Sequence, residues 1–436
     1  MSNMVYSGLC PRPQRVILAG YLAITAQAAS AGGLYIGEFG QPNMGASRAG
    51  AQALVEDAST AWQNPAGITF LDQKKSMATA IIVDSETEFE QELPVSALPP
   101  SVADAAGNRP AGDGGDAGST AVGGGFFHAN PVNDKWGWGV SMASLSAAVL
   151  DYENSRDFAG RYHATEVNLL TITALPTLSY RVNDSLSVGL GVPLMYAELE
   201  LDVAIPGPAA GAPDGKAEVE DGDDFVAGVS ASALWQVTED LRLGILYQTE
   251  MELDFDSNID LTLPTGVGQE DVKSNVEFSF PQTIRVSATQ ALNESVTLLA
   301  SVAWEDWSEF DELFVSTPIA DNALPREWDD TWHFALGLRW RRNPSWTHYA
   351  GVAYDTDPTN ARDRTADMPI DEQWRYSAGT TFHRSNGHNI NASLTYVDLG
   401  DAEIQNGGTR PGGAPWSLTG DYSSNRLIFL AFSYGW

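Results

Sequence analysis

The chain is poor in three things: cysteine, positive charge and long apolar runs. Its one cysteine, Cys10, sits near the N-terminus, ahead of an apolar run rather than after it, so it is not a lipid-attachment cysteine. Without Cys10 there is no thiol, which excludes disulfides and thiolate metal sites. Lysine and arginine number 24 against 57 aspartates and glutamates, for a formal charge of −33. Nucleic-acid binders carry a basic footprint, and this balance excludes such a partner. The acidity reads as solvated loops, with clusters such as Glu218, Glu220, Asp221, Asp223 and Asp224; a saline source fits it as well. Beyond the N-terminus no stretch approaches the ~18–20 apolar residues of a spanning helix.

What is present begins with a processing signal. Arg12 and Arg15 precede the apolar run from Val16 to Ala26, and small residues continue through Ala31. A basic start, an apolar run too short to span and an Ala29-Ser30-Ala31 end read as a cleaved export signal over 1–31. Cleavage after Ala28 fits the same pattern. Losing the signal removes two arginines and takes the charge to −35.

From Lys75 onward apolar and polar residues alternate with the two-residue period of a strand. Around Leu336, the residues Trp332, Phe334, Leu336, Leu338 and Trp340 share one face, and Thr331, His333, Ala335, Gly337 and Arg339 share the other. Trp374, Tyr376, Ala378, Thr380 and Phe382 form a second such face. Val276, Phe278, Phe280, Ile284 and Val286 form a third, opposite Glu277, Ser279, Thr283, Arg285 and Ser287. A soluble sandwich alternates too, but the connections argue for a different fold. Short turns near Asn133, Asn183, Glu239, Asn293, Asn343 and Asn386 alternate with long polar connections near 92–118, 153–162, 204–219, 264–272, 316–326, 357–370 and 402–417. Six short turns and seven long connections join fourteen strands. An even count with short turns at one end marks an all-β, antiparallel transmembrane barrel of the outer membrane.

Closure follows from the solvent, since lipid cannot satisfy the free backbone groups of an open sheet edge. The last strand alternates to the C-terminal residue through Ile428, Leu430, Phe432, Tyr434 and Trp436. Its final aromatics, Phe432, Tyr434 and Trp436, resemble the signal read by the outer-membrane barrel assembly machinery. The segment 32–72 does not alternate. It is rich in small residues, with a helix expected from Ser47 to Trp62 and a stop at Asn64-Pro65. About 40 residues are too few for an independent domain, so this segment is expected inside the lumen as a plug, ahead of a barrel over 73–436.

Several short motifs then resemble the FadL-type outer-membrane transporters, the family of long-chain fatty acid and aromatic hydrocarbon channels. They are Gly37-Glu38-Phe39, Asn64-Pro65-Ala66, the run Asn133-Asp134-Lys135-Trp136-Gly137-Trp138-Gly139, the run Phe280-Pro281-Gln282-Thr283-Ile284-Arg285-Val286, and Ser377-Ala378-Gly379-Thr380-Thr381. Their order and spacing cover nearly all of the chain after the signal. The resemblance implies an N-terminal hatch, a hydrophobic small-molecule ligand, and an exit through a gap in the wall at a kinked third strand. In that strand Trp136, Trp138, Val140 and Met142 share a face, while Leu145, Ala147 and Val149 have the opposite phase. A phase change needs an extra residue. We place the bulge at Ala143–Ser144, and the lateral opening at Ala143, Ser144 and Ala147. Pro176, Pro193 and Pro281 mark further breaks within strands.

The resemblance also implies roles. In the hatch, Asn64, Pro65 and Ala66 end the plug helix against the wall, and Leu34, Tyr35 and Ile36 rearrange to free the ligand. Two basic positions that the fatty-acid transporters use to hold a carboxylate fall at Val203 and Asp329 here, which widens the ligand from fatty acids to hydrophobic molecules generally. Arg161, Arg285 and Arg326 are candidate replacements. No cofactor, metal or catalytic residue is expected. Asp254, Asp256, Asn258 and Asp260 mimic a calcium loop, but Ile259 occupies the required glycine, so they read as the outer end of a strand. His333 and His383 face the lumen without a visible nucleophile. Gly123-Gly124-Gly125 lacks the following helix of a phosphate loop. The expected setting is a monomer among outer-membrane lipid and lipopolysaccharide. The competing readings are a general or selective porin for hydrophilic solutes, which needs no plug, and a membrane-embedded hydrolase or acyltransferase.

Overall fold

Alternation becomes a ladder in the computed structural model, which describes residues 37–92, 112–208, 212–264, 268–310, 312–317, 320–409 and 415–436. Residues 1–31, expected as an export signal, and Leu34, Tyr35 and Ile36 lie outside the described residues. Four strands come first: β1 (Lys75–Gln91), β2 (Thr120–Pro131), β3 (Trp136–Asp151) and β4 (Glu166–Arg181). The next four spans are each split in two. They are β5 (Leu186–Gly191) with β6 (Leu194–Ile205), β7 (Gly215–Ala227) with β8 (Ser230–Gln236), β9 (Leu241–Gln248) with β10 (Met251–Thr262), and β11 (Gly268–Phe280) with β12 (Thr283–Ala291). After β13 (Val296–Glu305), a hairpin of β14 (Glu312–Thr317) and β15 (Ala320–Pro325) stands at the outer end. β16 (Thr331–Asn343), β17 (Trp346–Asp355), β18 (Gln373–His383) and β19 (Asn389–Asp398) follow, then the short β20 (Ile404–Thr409) and the long β21 (Pro415–Gly435). β21 pairs back on β1, from Met77 opposite Gly435 to Gln91 opposite Gly420. The result is a closed, antiparallel barrel of fourteen spans.

The short turns sit where the asparagines are. The Oδ1 atoms of Asn133, Asn183 and Asn293 each accept from the backbone N–H groups two and three residues on, at 2.9–3.0 Å. This local bond closes the turn and fixes the register of the flanking strands. Outside, Trp332, Phe334, Leu336, Leu338 and Trp340 are exposed along β16, while Thr331 and Ala335 are buried. Trp332 and Trp340 lie eight residues apart, about 26 Å along a strand at ~3.3 Å per residue. That matches the ~25 Å apolar band between aromatic girdles of outer-membrane barrels.

Three expectations change. Val276, Phe278 and Phe280 do not share a face with Ile284 and Val286. The first three are buried inward, whereas Ile284 and Val286 are exposed to the outside. The cause is the break at Pro281–Gln282, where the ladder ends and restarts in the opposite phase. Glu218, Glu220, Asp221, Asp223 and Asp224 are not in a loop but in β7, because β6, β7 and β10 continue their pairing well beyond the break. The connections expected at 204–219 and 264–272 are shortened accordingly. Finally, no helix runs from Ser47 to Trp62. Ser47, Arg48 and Gly50 have φ of 50°, 59° and 74°, a left-handed conformation that ends a right-handed helix. Pro42–Ala46 and Pro65–Phe70 form 3₁₀ turns instead, and α1 is only Thr60–Gln63.

Across the break the wall inverts. Below it the inner face carries Ser187, Ser232 and Ser287, and the outer face Leu190, Ile245 and Val286. Above it, Met195, Leu253, Phe255 and Phe278 point inward, and Glu198, Glu252, Asp254 and Asp256 outward. The upper sheet is therefore a water-facing extension with an apolar interior.

Leu336, halfway between the girdles and 64% exposed, should tolerate charge poorly. Leu336→Arg is expected to cost about 2–4 kcal/mol, whereas Asp256→Arg on the upper sheet should change stability by about 0.5 kcal/mol or less. Denaturant titrations of the refolded barrel in lipid vesicles check both.

Candidate functional site: hatch, lumen and a gap in the wall

The residues ahead of β1 lie inside the barrel and touch its wall around the circumference. Approach is so close that wall positions must lack a side chain. A Cβ on Gly244 would lie 1.8 Å from the carbonyl oxygen of Gln52, and one on Gly351 2.2 Å from that of Ala46. Asn64 is the main fastening. Its amide donates to the carbonyls of Gln52 (2.6 Å) and of Ala233 in the wall (3.0 Å), and its Oδ1 accepts from Ala66 N–H (3.1 Å). Pro65 is buried at the first position of the following 3₁₀ turn, where its missing N–H costs nothing. Ala66 N–H also donates to Ser232 Oγ, and its carbonyl accepts from Ser179 Oγ (3.1 Å) and Ser187 Oγ (2.5 Å). The one-turn helix Thr60–Gln63 stops at Asn64, and Pro65 and Ala66 start the next turn beside the wall.

The wall itself is interrupted at the third strand. β2 and β3 pair only from Gly125 opposite Ala143 to Pro131 opposite Gly137. Outward of that rung β2 keeps its bonds to β1, and β3 keeps its bonds to β4. The two meet again where Asp151 N–H donates to Ala117 O at 3.1 Å. Between these limits, no rung joins β2 to β3 among the described residues. The irregularity in β3 lies between Ser144 and Ala147, not at Ala143–Ser144, since Ser144 faces Ile172 and Ala147 faces Leu170 across β4. Ala143 is buried at the lower corner of the gap and Ser144 is half-buried; the side chain of Ala147 lies outside the described residues. Gly123, Gly124 and Gly125 form the β2 edge. A chain of edge-to-face ring contacts leads to this corner from the hatch, Phe39 against Trp62 at 5.4 Å and Trp62 against Phe127 at 6.3 Å.

At the outer end of the lumen, hatch and wall share a buried set of charges that sequence reading had not assembled. Arg375 on β18 pairs with Asp355 on β17, whose other oxygen meets His333 Nδ1 at 2.8 Å. Arg285 pairs with Glu305 at 2.9 Å. From the hatch, Glu38 Oε1 lies 3.4 Å from Arg375 Nε. These residues sit on six separate segments, five strands and the stretch ahead of β1, so only the alternation that places the five strand residues inward was there to find them. His383 lies elsewhere, between Thr347 and Asn389.

The three arginines expected to hold a head group are not brought together. Arg285 belongs to the lumenal set. Arg161 is held outside by Asp214 at 2.8 Å and by Tyr162. Arg326 makes a two-point pair with Asp367, at 3.0 and 2.6 Å. Arg326 and Asp367 belong to a cap of outer loops, in which Tyr152 donates to Ala366 O and His163 Nδ1 accepts from Ala366 N–H at 3.1 Å. Burial lowers the His163 pKa to about 4, against a smaller opposing pull from Asp367. Asp254, Asp256 and Asn258 are exposed along β10, and no cluster suited to a metal ion occurs among the described residues.

Comparison with known proteins gives a consistent picture. The family described as outer membrane protein transport protein (OMPP1/FadL/TodX) matches residues 22–434. A long-chain fatty acid transport protein of Salmonella typhi is 25% identical over 419 residues, covering 89% of this chain and 93% of the relative. Outer membrane protein P1 of Haemophilus influenzae is 23% identical over 418 residues, covering 88% of this chain and 89% of the relative. Among solved structures, a Pseudomonas aeruginosa FadL homologue superposes with a TM-score of 0.82 at 21% identity, over 93% of this chain and 99% of that one. The toluene transporter TodX of P. putida gives 0.68 at 14%, over 91% and 98%.

Two outcomes follow from the hatch and the cap. Asn64→Ala leaves the carbonyl of Ala233 and the N–H of Ala66 with fewer partners and should destabilise the seated hatch by about 1–3 kcal/mol, read as faster amide exchange over 60–70. For His163, the unfolded ring titrates near 6.5 and the folded one near 4, so the unfolded chain takes up the proton first as pH falls. The contribution of neutral His163 is full above about 6.5 and is lost progressively towards 4. Protease sensitivity of the 356–372 loop should rise over that window, and His163→Asn should flatten the rise.

Proposed function

Because the chain belongs to the outer membrane transport protein family (OMPP1/FadL/TodX), we propose that it takes up hydrophobic small molecules passively and releases them sideways through the wall. It is an outer-membrane β-barrel transport protein. The outer loops and the apolar interior of the upper sheet, packed around Phe255, Phe278 and Met195, receive the ligand. The hatch closes the axial route, so the ligand turns aside between β2 and β3 and enters the membrane near Ser144. The observation that carries this reading is the missing stretch of ladder between Gly125–Ala143 and Ala117–Asp151. Elsewhere lipid forbids such a gap, because unpaired backbone groups in hydrocarbon cost several kcal/mol each by order of magnitude.

Within the same reading, the N-terminal 31 residues are an export signal, 32–72 the hatch and 73–436 the barrel. Leu34, Tyr35 and Ile36 are the part of the hatch that moves. Phe432, Tyr434 and Trp436, exposed on the outer face, are the assembly signal. The chain works as a monomer among lipid and lipopolysaccharide, without a cofactor or catalysis.

Bridging the gap tests the route. Val122→Cys on β2 and Ser144→Cys on β3, joined by a reducible linker in liposomes, should lower oleate or alkylbenzene uptake at least tenfold, with recovery on reduction. A factor of about ten corresponds to only ~1.4 kcal/mol, well within reach of a blocked path. Unchanged uptake in the bridged protein overturns the lateral route, and steady large conductance for hydrophilic solutes would favour a porin.

A further inference from the structure

The short-turn end of the barrel, which faces the periplasm in outer-membrane barrels, is not uniform in charge. The turns near Asn133, Asn183, Glu239 and Asn293 each carry a carboxylate, in Asp134, Asp184, Asp240 and Glu294. The two hairpins that follow carry none, since no aspartate or glutamate occurs from Thr331 to Tyr354 or from Gln373 to Val397. In a chain with 57 acidic residues against 24 lysines and arginines, this is a local reversal. Arg342 stands in the first of these turns and Arg384 in the second, and both are exposed. Elsewhere Arg161, Arg285, Arg326 and Arg364 each lie against a carboxylate. Arg342 and Arg384 make no ion pair among the described residues.

The backbone sets the two turns side by side. β17 pairs with β18, Trp346 opposite Phe382, and His383 N–H donates to Ser345 O at 2.9 Å. Each turn is fixed by its own bonds. Asn343 Oδ1 accepts from Ser345 N–H at 2.9 Å, and Arg384 N–H donates to His388 O at 2.8 Å. Arg342 is the extra residue between the rungs Arg341–Thr347 and Asn343–Trp346, and a bulge of this kind re-aims a side chain. Arg342 continues the outward phase of Leu338 and Trp340, and Arg384 that of Trp374 and Tyr376, all four exposed to the outside. Next to them lies an aromatic shelf on the same outer face. Trp340 meets His348 at 5.5 Å, Trp346 stacks with His348 at 6.3 Å, and Trp346 meets Phe382 at 4.8 Å. Aromatic belts sit at the level of the lipid head groups, so arginines two residues beyond this one stand at the depth of the lipid phosphates.

We propose that Arg342 and Arg384 form a binding site for the phosphodiester head group of an anionic phospholipid in the periplasmic leaflet, its acyl chains lying along the outer face beside Trp346 and Phe382. A guanidinium offers paired N–H donors that match two phosphate oxygens. A zwitterionic lipid presents the same phosphate but brings its own ammonium group, so two cations without a carboxylate select the lipid that carries net negative charge. Glu294 is the acidic residue of the adjoining turn, and it lies on the far side of Arg341, whose N–H donates to Ser295 O at 2.7 Å. It does not stand between Arg342 and Arg384. The site is also separate from the gap in the wall, since β21 and β1 come between β19 and β2. A lipid held there leaves the space between β2 and β3 free. The inference rests on the barrel and its orientation, not on what the lumen carries.

Native mass spectrometry of the folded full chain, titrated in detergent with dioleoyl phosphatidylglycerol or dioleoyl phosphatidylcholine, tests the site. Wild type should bind the first phosphatidylglycerol at least about tenfold more tightly than phosphatidylcholine, a ratio equivalent to ~1.4 kcal/mol. The double variant Arg342→Gln with Arg384→Gln should bring the two lipids to within about twofold, on the same scale. Arg156→Gln with Arg362→Gln, which removes two exposed charges from the outer loops, should keep the wild-type ratio. Heat-modifiable mobility on gels confirms that each variant is folded. Equal binding of the two lipids by wild type overturns the site, as does a preference that survives in the Arg342 and Arg384 variant. Loss of the preference in the outer-loop variant as well reduces it to net charge and overturns it too. Two competitors identify the source of the phosphate and the class of partner. Displacement of phosphatidylglycerol by an equal concentration of inorganic phosphate overturns the lipid assignment in favour of a free anion. Displacement by soluble peptidoglycan fragments overturns it in favour of the cell-wall polymer.

Discussion

Every backbone N–H and C=O that enters hydrocarbon must find its partner within the protein, and this one requirement organises the molecule. It forces the spans into a single antiparallel ladder and brings β21 back onto β1. It leaves the connections nowhere to go but the two ends. It also gives irregularities meaning. Within the apolar band the bonds are kept rung by rung, so the stretch where β2 and β3 part company is a conspicuous departure. There β2 presents the glycine edge Gly123 to Gly125, and β3 carries one extra residue against β4.

A second departure, along the breaks near Pro193, Gly228, Thr249 and Pro281, answers to a change of solvent. Below that line the outside is lipid and the inside is filled by a polar hatch, so the wall is apolar outward and small or polar inward. Above it the outside is water, and the same spans turn carboxylates outward and aromatic and aliphatic residues inward. In β9 with β10 and in β11 with β12 the inversion is achieved by changing the phase of the strand. In β5 with β6 the phase is kept and the residues themselves change, from Val188 and Leu190 to Glu198 and Glu200 on the same outer face. The strong negative charge of the chain is explained in part by this solvated sheet.

The hatch obeys the same backbone requirement without forming regular structure. Its carbonyls and N–H groups are met by wall hydroxyls, Ser179, Ser187, Ser232, Ser287 and Ser301 among them, and by the Asn64 amide. Such polar fastening inside a protein is strong when complete and costly when broken. The lumenal ion pairs above it carry the same consequence, since a buried charge that loses its partner is strongly destabilising.

Alternation, turn asparagines and the run of aromatics to Trp436 were enough to determine an outer-membrane barrel, its strand number and the outward faces of β16 and β18, because each depends only on local period and on what lipid tolerates. The break at Asn64-Pro65 was equally legible, being a property of proline. The motifs also pointed to the family. Other features were decided only in three dimensions. The helix expected from Ser47 to Trp62 gives way to left-handed turns at Ser47, Arg48 and Gly50, because the hatch backbone follows the wall rather than its own propensity. Phe280 and Ile284 share a sequence period and yet face opposite ways, since a proline break hides the change of phase. Glu38, His333, Asp355 and Arg375 come together only when β16, β17 and β18 close around the hatch, and no linear spacing records contacts made across more than 300 residues.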